Sequence, residues 1–491
     1  MQLKGINKND IIENIEVEKL VFGWQWFARL KHENPDLDGR VIFITGGAIP
    51  WSIVNLRVLK KRSAFFETQI IDIVKKSPIE KTHPTNIYWE SGWWKWINIP
   101  YEEQLKIKEN QIKESMHLIE KLQEDLHFLP IEASPIIDWY RNKVEFSFGK
   151  YLSKKDNIEE HFNLGFHKQW EFSKVQDYDW APLIDDVQNE VFREIKKFTK
   201  TMGLPVYDQM RAEWFFRHLL IRKTHFTNEM MILLSFNPKY FETNTKLNKW
   251  EKLSIIKEFF TSLAKKYPII KSIYYSHNLN KSDTFIWDLE LIYGESTITE
   301  RLLWLDFKIS PTSFFQTNSS WAEKLYEMVL DFAKKDDLKN QIVLDLYGWT
   351  WTIGMIFAKA WAKKVKSVEM VTSASLDWKE NAKLNWLKNI DFVNAKVEDF
   401  LWEYISAWEK ADLLIIDPPR AWMHPGALPN ILSFGTKQII YVSCNPATLA
   451  RDLEYILKNS DYKIEKIKPK DMFPHTHHIE TIVSLIKKTK K

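Results

Sequence analysis

The chain has 491 residues, 45% of them apolar and 27% charged, and a net charge of +4. That length suits two or three domains of ordinary soluble composition, and no apolar run approaches membrane-spanning length. A single cysteine excludes an intramolecular disulfide and a cysteine-built metal site, and without a signal-peptide pattern it points to the reducing cytoplasm.

Residues 8–73 show short alternating apolar runs, such as Arg40-Val-Ile-Phe-Ile44 and Ile53-Val-Asn-Leu-Arg-Val58, separated by turn signals such as Gly46-Gly47. This pattern suits a small OB-like β-barrel. Lys60-Lys-Arg62 and Phe65-Phe66 either meet a nucleic acid by charge and stacking or form a solvated turn and core aromatics. Ser77-Pro78 to His83-Pro84 reads as a linker. Tyr101 to about Leu126 reads as a long, charged amphipathic helix. Leu219–Arg222 and Met230–Ser235 read as strands.

From residue 340 strands and helices alternate. Asn340–Tyr347 reads as a strand, followed by the loop Gly348-Trp-Thr-Trp-Thr-Ile-Gly354 and a helix to about Lys364. Val365–Met370 is a second strand with Glu369 near its end. An acidic residue about 20 positions after a glycine-bearing strand-to-helix loop is the nucleoside-binding arrangement of doubly wound sheets, where a carboxylate accepts ribose hydroxyls. Ala411–Ile416 runs into Asp417-Pro-Pro-Arg420, and Lys437–Ser443 into Cys444-Asn445-Pro446 and a further helix. The pattern predicts an α/β domain with a parallel sheet. A lone Cys is either a small core residue or a nucleophile. Its place between a strand end and a helix N-terminus favours the nucleophile, because the helix dipole there favours a thiolate.

Composition carries an anomaly: 14 Gly and 23 Trp. Average usage of about 7% predicts roughly 34 Gly, and the two residue types together come close to that. Trp24, Trp26, Trp51, Trp214, Trp304, Trp349, Trp351, Trp386 and Trp422 stand at places that a resemblance to known proteins, carried by the motifs that follow, implies are glycine; turns and close backbone approach there would need it. A left-handed residue other than glycine costs about 1–2 kcal/mol. The sequence therefore predicts that UGA is a glycine codon in this gene. The alternative is a chain that is truly rich in tryptophan.

Ser313-Phe-Phe-Gln-Thr-Asn318, Asp345-Leu-Tyr347, Asp417-Pro-Pro-Arg420, Val442-Ser-Cys-Asn-Pro-Ala-Thr-Leu-Ala-Arg-Asp452 and Asp471-Met-Phe-Pro-His-Thr-His-His-Ile-Glu480 together resemble the ordered motifs of the RNA uracil-5-methyltransferase family. Residues 8–73 resemble the TRAM barrel of its larger members, and 135–300 resemble its central domain. The resemblance implies a TRAM barrel (8–73), an α+β central domain (74–305, with the helix at about 101–126) and a doubly wound Rossmann-like methyltransferase domain (306–491). It implies that S-adenosylmethionine methylates a uridine in RNA, 23S ribosomal RNA by preference and transfer RNA as the alternative. Cys444 would be the nucleophile and Glu480 the base, and Gln316, Tyr347, Glu369 and Asp417 would hold the cofactor. A catalytically dead RNA-binding homologue is the reading if Trp349 and Trp351 are genuine. Thr85, Ser91 and Trp94 match the family's iron–sulfur cysteine slots and offer no thiolate, so no cluster and no metal are expected. His475, His477 and His478 lack the companions of a metal site. Arg141 and Lys143 are RNA contacts or structural ion pairs. The protein is expected to act as a cytoplasmic monomer.

The chemistry explains the residue types. C5 of uracil is a poor nucleophile. A thiolate adding to C6 makes an enolate whose C5 can attack a methyl donor. The C5 proton must then leave to a base before the thiol is eliminated.

Overall fold

A computed structural model of the chain describes residues 5–23, 25–81, 94–153, 157–168, 171–209, 211, 213–243, 248–279, 288–333, 335–348, 352–370, 374–407, 410–420, 423 and 426–488. Six strands come first: β1 (Ile11–Glu16), β2 (Lys19–Val21), β3 (Gln25–Arg29), β4 (Val41–Thr45), β5 (Ile53–Lys61) and β6 (Phe65–Lys75). They form one sheet in the order β1-β5-β6-β4-β3-β2, antiparallel except where β4 pairs with β6. Strand periodicity places alternate side chains on one face, and Val54, Leu56 and Val58 of β5 join Ile42, Ile44 and Phe66 in a core. Helices α1 (Tyr101–Ser115) and α2 (His117–Glu120) follow. The helix expected to run to about residue 126 stops at Ser115. Met116 lies at φ −86°, ψ 0°, and shares its N–H between the carbonyls of Ile112 and Lys113, which tightens the last turn.

The middle of the chain supplies β7 (Lys143–Ser153), β8 (Ile158–Lys168), β9 (Glu171–Asp177), α3 (Asp186–Thr201), β10 (Phe216–Lys223), β11 (Met230–Phe236), α4 (Tyr240–Thr243), α5 (Lys249–Lys266), β12 (Ile270–His277) and β13 (Leu289–Gly294). Their sheet runs β13-β12-β11-β10-β7-β8-β9. α3 starts on a capping box between Asp185 and Gln188. A hairpin, β14 (Ile298–Leu302) and β15 (Leu305–Ile309), leads to the last third.

That third contains α6 (Ser319–Phe332), β16 (Ile342–Leu346), α7 (Thr352–Lys359), β17 (Lys364–Glu369), α8 (Ala374–Leu384), β18 (Ile390–Asn394), α9 (Val397–Ser406), β19 (Leu413–Ile416), α10 (Ala427–Phe434), β20 (Gln438–Ser443), α11 (Pro446–Asn459), β21 (Tyr462–Lys470) and β22 (Glu480–Lys487). The sheet order is β18-β17-β16-β19-β20-β22-β21, with parallel pairing from β18 through β20. The order reverses direction between β16 and β19, and ligands of open α/β sheets bind at the strand ends beside such a switch point.

The chain divides into two compact units. One comprises residues 1–134, 444–454 and 468–481; the other comprises 135–443, 455–467 and 482–491. Among the described residues no helix is long and apolar enough to cross a membrane.

Candidate active site

In the larger unit, the carboxyl ends of β16, β17 and β19 carry acidic side chains. Asp345, one residue before the end of β16, is wholly buried. Its Oδ2 accepts the Ser367 hydroxyl and, at 3.0 Å, the Gly354 N–H at the start of α7. A Cβ on Gly354 would lie 2.8 Å from that oxygen, so this helix start requires glycine. Desolvation pushes the Asp345 carboxyl up to about 6; the two donors oppose the shift and the Glu369 charge adds to it. Glu369, the last residue of β17, is buried. Asp417 follows β19, its N–H bonded to the Leu346 carbonyl at 3.2 Å. Its residue surface is partly accessible, yet desolvation, and then the Asp345 charge, push its carboxyl up to about 8. Tyr347 leaves β16 in the left-handed region, φ 62°. The structure thus gathers Tyr347, Glu369 and Asp417 at neighbouring strand ends.

Gln316 lies on the segment before α6. The Asn142 amide donates to the Gln316 carbonyl at 2.7 Å and to the Ser319 hydroxyl at 2.8 Å. The buried Arg222 donates to the carbonyls of Ser310 (3.2 Å) and Ser313 (3.0 Å). Asn318 caps α6 by accepting the Trp321 N–H. Neither Asn142 nor Arg222 is singled out by sequence reasoning, because their partners lie far along the chain.

Cys444 and Glu480 both fall in the smaller unit. Cys444 is half-buried just after β20. Asn445 caps α11 by accepting the Ala447 N–H at 3.0 Å, and Pro446 fills the first helical position. The thiol therefore stands one residue before a capped helix start. Glu480 is buried and opens β22, the neighbour of β20 in the sheet.

The segment before Glu480 is pinned from α1. Lys108 and Asp471 are both wholly buried and 2.6 Å apart; burial pushes the ammonium down, opposed by the Asp471 charge. Gln104 bonds to both the backbone and the ring of His475. Sequence reading took α1 for a charged amphipathic helix. The available signal was polar Gln104, Lys108 and Gln111 at i, i+4 and i+7, all buried on one face.

Lys143 sits 2.6 Å from Glu145, an ion pair. Phe66 is fully buried and is a core aromatic, and Lys60 and Arg62 both pair with Glu67. Trp26 and Trp214 are buried, whereas Trp51 and Trp386 are exposed and left-handed. Trp304 is exposed. Trp24, Trp349, Trp351, Trp422, Thr85 and Ser91 lie outside the described residues. Among the described residues no cluster of three or more His, Cys, Asp or Glu forms a metal site.

A parallel α/β sheet with acidic side chains gathered at its switch point is the frame of an enzyme that binds a nucleoside-bearing cofactor. A family model described as tRNA (Uracil-5-)-methyltransferase matches residues 280–488. Uncharacterized RNA methyltransferases of Caldanaerobacter subterraneus subsp. tengcongensis and Clostridium tetani are 35% and 36% identical over 92% of this chain, covering 95% and 94% of their own lengths. Among solved structures, the Pyrococcus abyssi tRNA (uracil-54, C5)-methyltransferase in complex with S-adenosyl-L-homocysteine aligns with a TM-score of 0.71 and 25% identity, over 97% of this chain and 100% of that one. The chain belongs to the RNA uracil-5-methyltransferase family. It is an RNA methyltransferase with the α/β fold of that class.

Proposed function

We propose that the chain uses S-adenosylmethionine to methylate C5 of a uridine in RNA through a covalent adduct between Cys444 and C6. The observation that carries this reading is the pairing of a half-buried thiol ahead of a capped helix with a buried carboxylate at the start of the neighbouring strand. The donor set at the sheet's switch point fits the cofactor. Glu369 would accept ribose hydroxyls, with Tyr347 and Asp417 at the ends of the next two strands, and Gln316 lies on a segment fixed by Asn142 and Arg222. The cofactor supplies an electrophilic methyl on its sulfonium. Cys444 Sγ adds to C6, which makes C5 nucleophilic; after methyl transfer Glu480 takes the C5 proton, the C6–S bond breaks, and 5-methyluridine is released. The target base must leave its stack to reach the thiol.

Ribosomal RNA is the proposed target, on the reading of the six-stranded sheet at 11–75 as an OB-like TRAM barrel that adds RNA-binding surface. Transfer RNA is the second reading. It is favoured by the solved structure that aligns over its whole length and whose protein is a tRNA enzyme. Nucleoside analysis of ribosomal and transfer RNA from a deletion strain separates them: the fraction that loses 5-methyluridine is the target.

The mechanism is tested with Glu480→Gln, which keeps the shape but cannot act as a carboxylate base. The variant is expected to stall as a denaturation-resistant RNA–protein adduct carrying the transferred methyl. Normal turnover, or inactivity without a methylated adduct at saturating cofactor, would falsify the base assignment.

A further inference from the structure

His475 is a non-glycine residue in the left-handed region, φ 63°. Such a conformation persists only where the surroundings over-determine it, and it clusters at functional sites. Its surroundings here include a glutamine and a backbone amide. Gln104, wholly buried, accepts the His475 N–H on Oε1 at 2.8 Å, and its Nε2 stands 2.9 Å from His475 Nδ1. The same Nε2 donates to the carbonyls of Trp96 (3.0 Å) and Ile99 (2.8 Å), which fixes the amide's orientation. Trp96 N–H donates to the His475 carbonyl at 3.1 Å. Gln104 Nε2 carries two hydrogens for three neighbours, so it shares them among the two carbonyls and the ring. One turn along α1, Lys108 Nζ holds Asp471 Oδ1 at 2.6 Å and the Phe473 carbonyl at 3.1 Å. Two turns of a helix more than 350 residues away in sequence thus fix positions 471, 473 and 475, and β22 opens at Glu480 five residues later.

We propose that Gln104 is a positioning residue for Glu480, acting through the strained His475. This rests on the reading of Glu480 as the base. The base must reach the C5 proton only after methyl transfer, so a loosened loop slows that step and leaves adduct formation intact. The test is Gln104→Leu, with Glu480→Gln as a control in the same assay. Turnover is expected to fall about 10- to 100-fold, the scale of a small misplacement of a catalytic group. The methylated RNA–protein adduct is expected to accumulate and KM for the cofactor to stay unchanged. A residue that merely supports the fold would lower adduct formation as well. If Gln104→Leu loses its native circular dichroism, Gln104→Glu is read instead: it keeps the acceptor for His475 N–H, loses the donors, and should accumulate less adduct than Glu480→Gln. Normal turnover by the variant read, or inactivity without adduct while Glu480→Gln traps it, overturns the positioning role alone. Absence of adduct in Glu480→Gln overturns the base reading itself, so the two failures are distinct.

A second observation stands independently. Among the described residues, 11 non-glycine positions have positive φ, and four of them are tryptophans: Trp51 (70°), Trp139 (56°), Trp361 (70°) and Trp386 (55°). Bulky residues are the rarest occupants of this region. The local motifs are specific. After α7, Ala362 N–H bonds Phe357 O and Trp361 N–H bonds Ala358 O; after α8, Leu387 N–H bonds Ala382 O and Trp386 N–H bonds Lys383 O. Both are the 6→1 and 5→2 bonds of the Schellman motif, with tryptophan at the left-handed position where glycine is the usual residue. Trp51 follows Pro50 in a turn closed by Ser52 N–H to Ile49 O; a positive φ at that third position is the type II turn's demand for glycine. All four indoles are exposed, Trp361 at 74% and Trp386 at 83%, so burial does not compensate the backbone cost.

We infer that UGA codons of this gene are read as glycine in its own cell, and that positions 51, 139, 361 and 386 are glycines in the native protein. The test reads the codons and the peptides of the protein purified from its source. UGA codons with glycine residue masses at 361 and 386 are expected. UGG codons, or tryptophan masses at those positions, overturn the inference. A synthetic-gene comparison checks the physical argument: the Trp361→Gly/Trp386→Gly protein should melt a few degrees above the all-tryptophan chain, and an equal or lower midpoint overturns it.

Discussion

Two buried acidic regions of this molecule are built on opposite electrostatic plans. At the ends of β16, β17 and β19 burial raises the Asp345 and Asp417 carboxyls, and the charges of Glu369 and Asp345, respectively, add to it. In the segment before Glu480 the buried carboxylate of Asp471 faces an ammonium at 2.6 Å and its surroundings are tied down by backbone hydrogen bonds. The first arrangement disfavours the charged carboxylates, so that Asp417 keeps a proton up to about pH 8. The second is neutralised internally, which suits a segment that must present one group in one place. The difference teaches that burial without a cation raises a carboxyl, whereas burial against a cation holds the pair in one geometry.

The comparison is broken most severely at the thiol. Cys444→Ala should lower methylation by at least about 10³-fold, since it removes the proposed nucleophile, while cofactor binding measured by calorimetry stays near that of the unaltered chain. Normal turnover would remove covalent catalysis from the scheme. On the internally paired side, Lys108→Met leaves Asp471 buried beside no cation and should cost about 3–5 kcal/mol in urea unfolding. Lys108→Met/Asp471→Leu should recover most of that loss, because replacing both charges is often neutral. A double variant as unstable as the single one would mean that the cost lies in packing.

The charge-rich side is sharpened by pH. The Asp417 carboxyl is raised from 3.8 to about 8 in the folded, cofactor-free protein, so that state holds a proton that the unfolded chain releases. Its stability therefore falls as pH rises from about 4 through 8. A cofactor that needs the carboxylate must displace the same proton, so its affinity should climb with pH up to about 8, by at most tenfold per unit, and then level off. Asp417→Asn should flatten that profile; a profile unchanged by the substitution would detach Asp417 from cofactor binding. The smallest effect expected is none: dialysis against a chelator should leave activity unchanged, and purified protein should carry no stoichiometric iron. Loss of activity restored by added metal would refute this.

Much of the last third was legible because apolar runs end abruptly at chemically distinctive residues. The strands before Tyr347, Asp417 and Cys444 form where the sequence placed them, β16, β19 and β20. The lone cysteine needed only its position between strand and helix to stand out. What sequence could not show is the work done by α1. Gln104 and Lys108 look like solvent-facing residues of a charged helix, and their partners at 475 and 471 are separated from them by most of the chain. The helix's early stop at Ser115 was also hidden, since residues 116–126 continue in helix-compatible composition. Tryptophan's place at helix ends could be suspected from counting, but only backbone angles single out 361 and 386.

The interleaved make-up of the smaller unit has a consequence for how the protein is born. Residues 1–134 leave the ribosome first, yet their unit also contains 444–454 and 468–481. Until those arrive, Lys108 lacks its counter-ion and Gln104 its strained histidine, so the long helix emerges with a polar face prepared for partners not yet synthesised. Domains generally fold as units as they emerge, but here the unit begun first is completed almost last. The contacts of Gln104 and Lys108 with residues 471–475 therefore form only once translation has passed the stretch that delivers Cys444.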